Sequence, residues 1–205
     1  MRHFIWIIFL LLSLPTKAQT MGELFKTMPT DLLPGISEGN KTMLLVDSGQ
    51  TAVPYALGEI RKLAQKADYL KIKTSEVGTT QWKLLPVGND STIVCMIKTV
   101  CAEACDSHIT FYTTKWQKIS SENLLPEFSS EIFFDSSKKK GENYKYAVSL
   151  QLSNPIAAEF DESGTDLKLT LDYKTFLTGE QIAEIQPFLK SDTIVLKWKN
   201  NAFRQ

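Results

Sequence analysis

Histidine is almost absent from this chain. It has two, at positions 3 and 108, and three cysteines, at 95, 101 and 105. If the first residues are removed on export, as argued below, His108 is alone. A metal site built from two or three histidines of one chain is then excluded. Any serine–histidine pair must use His108. Its neighbour Ser107 cannot serve on a strand, where adjacent side chains point to opposite faces. No Gly-x-Ser-x-Gly elbow is present. No phosphate-cradling glycine loop or dinucleotide fingerprint occurs either. No cofactor and no bound metal are therefore expected. The charge is also unremarkable, with 23 basic and 23 acidic residues. Such a balance gives no electrostatic footprint for nucleic acid or anionic lipid.

A long apolar run is missing as well. Residues 4–14 are apolar apart from Ser13, but a bilayer span needs about 20 such residues. That block follows a basic start at Arg2. Pro15 breaks it, and Thr16 and Ala18 supply small residues two apart. The order is that of an export signal over residues 1–19. The competing reading is a buried N-terminal strand or helix. No cysteine follows the block to carry a lipid. The expected working protein is a soluble single domain over residues 20–205, with two sub-halves, 20–120 and 121–205, in the periplasm or at the cell surface. Removal of the signal takes two of the 23 basic residues and none of the 23 acidic ones, leaving a net charge of −2.

What is present is mostly β pattern. Thr30 and Asp31 can cap a short turn, and Ser37 can cap a helix through Val46 that Ser48-Gly49 stops. Residues 55–67 are ambiguous, because Leu57, Ile60, Leu63, Ala64 and Ala67 keep helical spacing around Gly58. From Tyr69 the period is two. Strands are expected at 69–73, 81–87, 92–101 and 108–114, with a turn at Gly88-Asn89-Asp90 and a short strand at 116–119. Residues 120–143 read as a connector, and Lys138, Lys139 and Lys140 as a solvated loop, with a partner-binding patch as the alternative. Tyr144, Tyr146, Val148, Leu150 and Leu152 alternate and predict another strand, followed by 156–160 and 167–173. Thr178-Gly179-Glu180-Gln181 is a capping box opening a helix. Residues 194–198 predict the last strand. Strands and helices do not alternate regularly, which argues against a parallel sheet. The fold expected is α+β: a largely antiparallel sheet with helices packed on one face, an N-terminal helical segment and one late C-terminal helix.

The cysteines point to one bridge in an oxidising compartment. Cys101 and Cys105 flank a turn between two strands and form the favoured pair; Cys95 bonded to either is the rival. The ring is so short that loop entropy contributes only about 2 kcal/mol. Cys95 shares a strand face with Ile93 and Ile97 and reads as a buried free thiol. A zinc site from Cys101, Cys105 and His108 has suitable atoms but lacks a fourth ligand. The Cys-x-x-x-Cys spacing differs from that of redox motifs. Asp47 and Asp106 stand beside serines at element ends, as capping residues do. Trp82, Trp116 and Trp198 lie in strand-like segments, either as core or as a platform for a sugar. His108, Asp106 and Trp116 remain the weak site candidates.

Several stretches carry a resemblance. Met28-Pro29-x-x-Leu32-Leu33-Pro34, Leu84-Leu85-Pro86-Val87, the segment from Lys98 to Ser107 with both cysteines, Phe111-Tyr112 and Trp116 together resemble an exported Bacteroidetes domain-of-unknown-function family, catalogued as number 3256. That family commonly has a proline between its cysteines, where Ala102-Glu103-Ala104 stand here. It also tends to carry an arginine where Lys41 stands. The resemblance implies a Gram-negative envelope location and no particular activity. The function expected is a non-enzymatic binding or accessory protein whose partner is an envelope protein or glycan. The alternatives are a carboxylate-dependent hydrolase of glycan or cell-wall material, and an inhibitor-like protein presenting a sheet face to an enzyme.

Overall fold

The computed structural model describes residues 19–46, 49–56, 58–88, 91–126, 129–151 and 155–205. The expected export signal therefore lies outside the described residues, apart from Gln19. So do Asp47 and Ser48.

The chain begins with two short helices, α1 (Met21–Lys26) and α2 (Glu38–Leu44). Each starts where its cap dictates. Thr20 and Glu23 form a reciprocal capping box, and Ser37 accepts from the Asn40 amide. A seven-stranded antiparallel meander follows in chain order. Its strands are β1 (Ala52–Tyr55), β2 (Gly58–Lys66), β3 (Tyr69–Lys73), β4 (Gly78–Val87), β5 (Ser91–Cys101), β6 (Cys105–Thr113) and β7 (Lys118–Ile119). After a connector with two 3-10 turns and the helix α3 (Tyr144–Ser149), a smaller sheet forms. It contains β8 (Ile156–Phe160), β9 (Leu167–Leu171), β10 (Thr193–Lys199) and β11 (Ala202–Arg204), with α4 (Gly179–Ile185) between β9 and β10. The fold is α+β with antiparallel sheets, as the pattern predicts.

Two segments differ from the sequence reading. The ambiguous stretch around Ile60 is the strand β2. A register shift between Lys62 and Ala64 moves the side-chain phase by one residue. That bulge is what imitates helical spacing. The alternation beginning at Tyr144 predicts a strand, but the structure has α3 there. Tyr144 and Ala147 are buried, three residues apart on one helix face, while Tyr146 is half exposed. The Tyr144 ring packs edge-on against Phe134 and Phe188 at 6.1 and 6.0 Å. Burial of that face outweighs the period-two pattern, and no neighbouring strand among the described residues offers a ladder. Leu152 lies outside the described residues. The strand predicted as the last, 194–198, is β10 and is followed by a further strand, β11. Asn200 and Asn201, both at positive φ, turn β10 into β11.

The β4–β5 hairpin sits in the middle of the large sheet and is buried on both faces. On one face Trp82, Leu84, Val94 and Met96 pack under α1 and α2 with Phe25, Leu24 and Leu44. The Phe25 and Trp82 rings meet edge-to-face at 5.2 Å. On the other face Leu85, Cys95, Ile97 and Phe111 pack against the small sheet, α3 and α4. The helices are thus divided between the two faces of the meander, and a second sheet supplies most of one cover.

The small sheet crosses the large one. Ile156 of β8 donates to Asp106 on β6 at 3.2 Å, Ala158 to Ser107 at 2.8 Å, and Phe160 to Gln81 on β4 at 3.2 Å. These three amides alternate along β8, so they form its free edge, turned away from β9. Side chains of the large sheet take the place of a neighbouring strand. Gln81 also accepts from the Tyr69 hydroxyl at 3.0 Å and is buried.

Gln81→Leu removes the acceptor and leaves the Phe160 amide and the Tyr69 hydroxyl buried without partners. At about 1–3 kcal/mol for each of the two orphaned groups, the expected loss of unfolding free energy is about 2–6 kcal/mol. Urea titration of the two proteins measures it. A variant within 0.5 kcal/mol of the parent, on the order of error, contradicts the role given to Gln81.

Candidate functional site

The residues named from sequence do not assemble into one place. Cys101 and Cys105 are direct cross-strand partners at the end of the β5–β6 hairpin, and the structure joins them as a disulfide. Cys95 is a free thiol, fully buried on the face beneath the small sheet. Burial pushes its thiol pKa well up, since no charge partner compensates the desolvation of a thiolate. Asp106 sits next to the bridge and is spent on the Ile156 amide. That is an inter-sheet contact rather than the local cap expected. Ser107 is committed to Ala158 and to the Thr99 hydroxyl at 2.8 Å. His108 is exposed on β6 opposite Lys98. Trp116 lies past the other end of β6, in a turn at φ 62°. It is buried, and its indole N–H donates to the Leu24 carbonyl at 3.2 Å, pinning α1. Trp82 is wholly buried, and Trp198 donates to the Pro86 carbonyl at 2.7 Å, joining the two sheets. These indoles are packing and clamping groups, not a sugar platform. Among the described residues no group of three or more histidine, cysteine or acidic side chains is placed to hold a metal ion.

A concavity lies elsewhere, beside the small sheet. It is a groove of about 600 Å³ between Pro126 and residues 129–136 on one wall and the β10–β11 side on the other. Ile132, Phe134 and Leu196 give it an apolar floor, with Glu131, Asp135, Lys139, Lys190 and Arg204 around the mouth. Backbone pairing closes one end, where Phe134 bridges Leu189 and the Lys190 amide donates to the Phe133 carbonyl at 2.8 Å.

The charges at the mouth are unequal in their commitments. Glu131 holds Lys139 at 2.7 Å, and that hydrogen bond raises the Lys139 pKa. Asp135 accepts from the Ser137 hydroxyl and amide at 2.7 and 3.0 Å, capping a 3-10 turn (Ser136–Lys138). Those bonds hold its carboxyl below the usual value. A general acid needs the opposite displacement. Asp135 therefore stays ionised at neutral pH and cannot donate a proton there. Lys190 and Arg204 form no ion pair among the described residues. The sequence reading missed this site. Its walls come from segments more than fifty residues apart, and of the lysine run at 138–140, read as a loop, only Lys139 lines it.

The chain belongs to the family described as "Protein of unknown function (DUF3256)", which matches residues 13–203. No curated protein matches. A solved structure from Porphyromonas gingivalis W83, described as a domain of an uncharacterized protein, superposes with a TM-score of 0.77 at 21% identity. The match covers 89% of this chain and 96% of that one, and it shows the shared fold. No described helix is long and apolar enough to cross a membrane.

The thiol assignments predict a labelling pattern. Under non-reducing conditions at pH 8, a maleimide should not modify the folded protein and should modify one thiol per chain in denaturant. Mass spectrometry reads the sites. Three modified thiols, or rapid labelling of Cys95 without denaturant, contradict the assignments.

Proposed function

We propose that the protein is an exported, non-enzymatic binding or accessory protein of the periplasm or cell surface. The observation that carries the reading is the groove beside β10. It combines an apolar floor with two cations that have no ion-pair partner among the described residues, a composition suited to holding a ligand through a few oriented polar contacts. The export-signal pattern at residues 1–19 and the cysteine bridge support the compartment. The hydrolase reading gains two carboxylates at the groove, Glu131 and Asp135. It loses the proton donor, because Asp135 is held ionised and Glu131 is tied to Lys139. The partner is an envelope protein or an envelope glycan.

The test immobilises the protein and an Arg204→Glu variant, and passes separated envelope-protein and glycan fractions over each. Retention of one fraction by the parent, reduced at least fivefold by the variant, is the expected result. Retention of neither, with release of reducing sugar from the glycan fraction, would overturn the proposal in favour of a hydrolase.

A further inference from the structure

The Cys101–Cys105 bridge stands directly beside the seam between the sheets. The next two residues, Asp106 and Ser107, accept from the Ile156 and Ala158 amides of β8 at 3.2 and 2.8 Å. The β5–β6 ladder ends at the bridged pair, beyond which Ala102, Glu103 and Ala104 form the turn. Hydrogen bonds also hold this end. The Cys101 amide donates to the Val77 carbonyl at 2.7 Å, and the Thr99 and Ser107 hydroxyls meet at 2.8 Å. Strand β7 gives no help here, since it pairs with β6 at Phe111 and Tyr112, towards the other end. The third seam acceptor is anchored differently. Gln81 lies inside the large sheet, across from Lys71 of β3 on one side and Ile97 of β5 on the other.

The bridge is open to attack. Both cysteines are half-buried, and Ala102 and Glu103 between them are exposed. Val77 and Val100, 50% and 58% exposed, stand beside it. One meets the Cys101 amide through its carbonyl, and the other precedes Cys101 in the chain. An apolar rim around an accessible disulfide suits a dithiol protein, which must bring a thiolate up to one of the two sulfurs. A ring this short constrains the unfolded chain little, so opening it leaves most of the stability in place. The remaining thiol of the chain cannot open it. Cys95 is fully buried and six residues from Cys101 on the same strand, about 20 Å at the rise of a strand.

We infer that the Cys101–Cys105 bridge is an exchange-active latch on the seam, the substrate of a Cys-x-x-Cys dithiol protein that docks on Val77 and Val100. One thiolate of the partner attacks a bridge sulfur. A mixed disulfide forms, and the other cysteine leaves as a thiolate and takes a proton. The partner's second thiol, as a thiolate, then displaces the mixed disulfide and releases the second cysteine. Both protons of the dithiol end on the two cysteines, and the partner, oxidised by two electrons, ends as a disulfide. Unlatched, the tip of the β5–β6 hairpin frays as a local unit. Asp106 and Ser107 move with it and give up β8 at Ile156 and Ala158, while Gln81 keeps Phe160. The latch acts on the seam whatever the groove holds, and adds regulation to the binding-protein reading without resting on it.

The test incubates the folded, oxidised protein with reduced thioredoxin or with dithiothreitol, then traps thiols with a maleimide. Mass spectrometry should find Cys101 and Cys105 modified and Cys95 unmodified, with no denaturant present. Val77→Lys/Val100→Lys should slow reduction by thioredoxin at least fivefold and leave the dithiothreitol rate within twofold. NMR hydrogen exchange then compares the reduced and oxidised proteins. After reduction the Ile156 and Ala158 amides should exchange at least tenfold faster, with Phe160 within twofold of its oxidised rate. Cys101→Ser/Cys105→Ser should copy the reduced pattern, and reoxidation of the parent should restore the slow one. A bridge that opens only in denaturant would overturn the inference. So would three amides indifferent to reduction, or three accelerated alike, as in general loosening. A thioredoxin rate unmoved by the valine substitutions, or both reductants slowed equally, would overturn the docking rim.

Discussion

The amides of Ile156, Ala158 and Phe160 point away from β9 and into the seam between the two sheets. A strand edge buried in that way must find acceptors or forfeit several hydrogen bonds. Gln81, Ser107 and Asp106 provide them from two strands of the larger sheet. Because those acceptors lie on β4 and β6, β8 has to cross the meander instead of extending it. The small sheet is thereby held at one angle and one register, and everything attached to it follows: the docking of α3 and α4, the aromatic contacts of Phe203 with Phe111, Phe160 and Trp198, and the placing of the β10 edge beside the connector.

The seam works only because the meander is apolar on both sides. Trp82 and Leu85 point opposite ways from one strand, and both are fully buried. Two covers are required, and the chain makes them in order, first α1 and α2, then the second half. Three lysines buried along with these cores are retained through their amino groups. Lys41 reaches the Met28 carbonyl and Glu38, Lys62 reaches Gln65, and Lys83 meets Asp68 at 2.8 Å while lying over the Tyr69 ring. Their stems pack as apolar chains while their heads find acceptors. Tyr69, desolvated and close to Glu162 and Glu159, has its phenol pKa raised and stays a neutral donor to Gln81.

Much of the architecture was legible in sequence because it is local. Caps at Ser37 and Thr178, period two from Tyr69 onward, and the turn between the cysteines each act over a few residues. The errors arose where a long-range contact overrides local pattern. The bulge in β2 has meaning only against β3, and α3 is a helix because Tyr144 meets Phe134 and Phe188 and Ala147 is buried in the same core. The candidate site was the least legible part. Asp106 and Trp116, the weak site candidates of the sequence, are structural fastenings, Asp106 to the Ile156 amide and Trp116 to the Leu24 carbonyl. The groove depends on where β11 stops relative to Phe134, and no local signal records that.

Membership in a family of unknown function leaves the physical account to stand on the seam. Native-state hydrogen exchange tests it most directly. If side chains of the large sheet cap the β8 edge, the amides of Ile156, Ala158 and Phe160 should exchange as slowly as their ladder-bonded neighbours Ala157 and Glu159, and should open together with them. Exchange of those three amides at the rate of exposed loop amides, with Ala157 and Glu159 still protected, would contradict it.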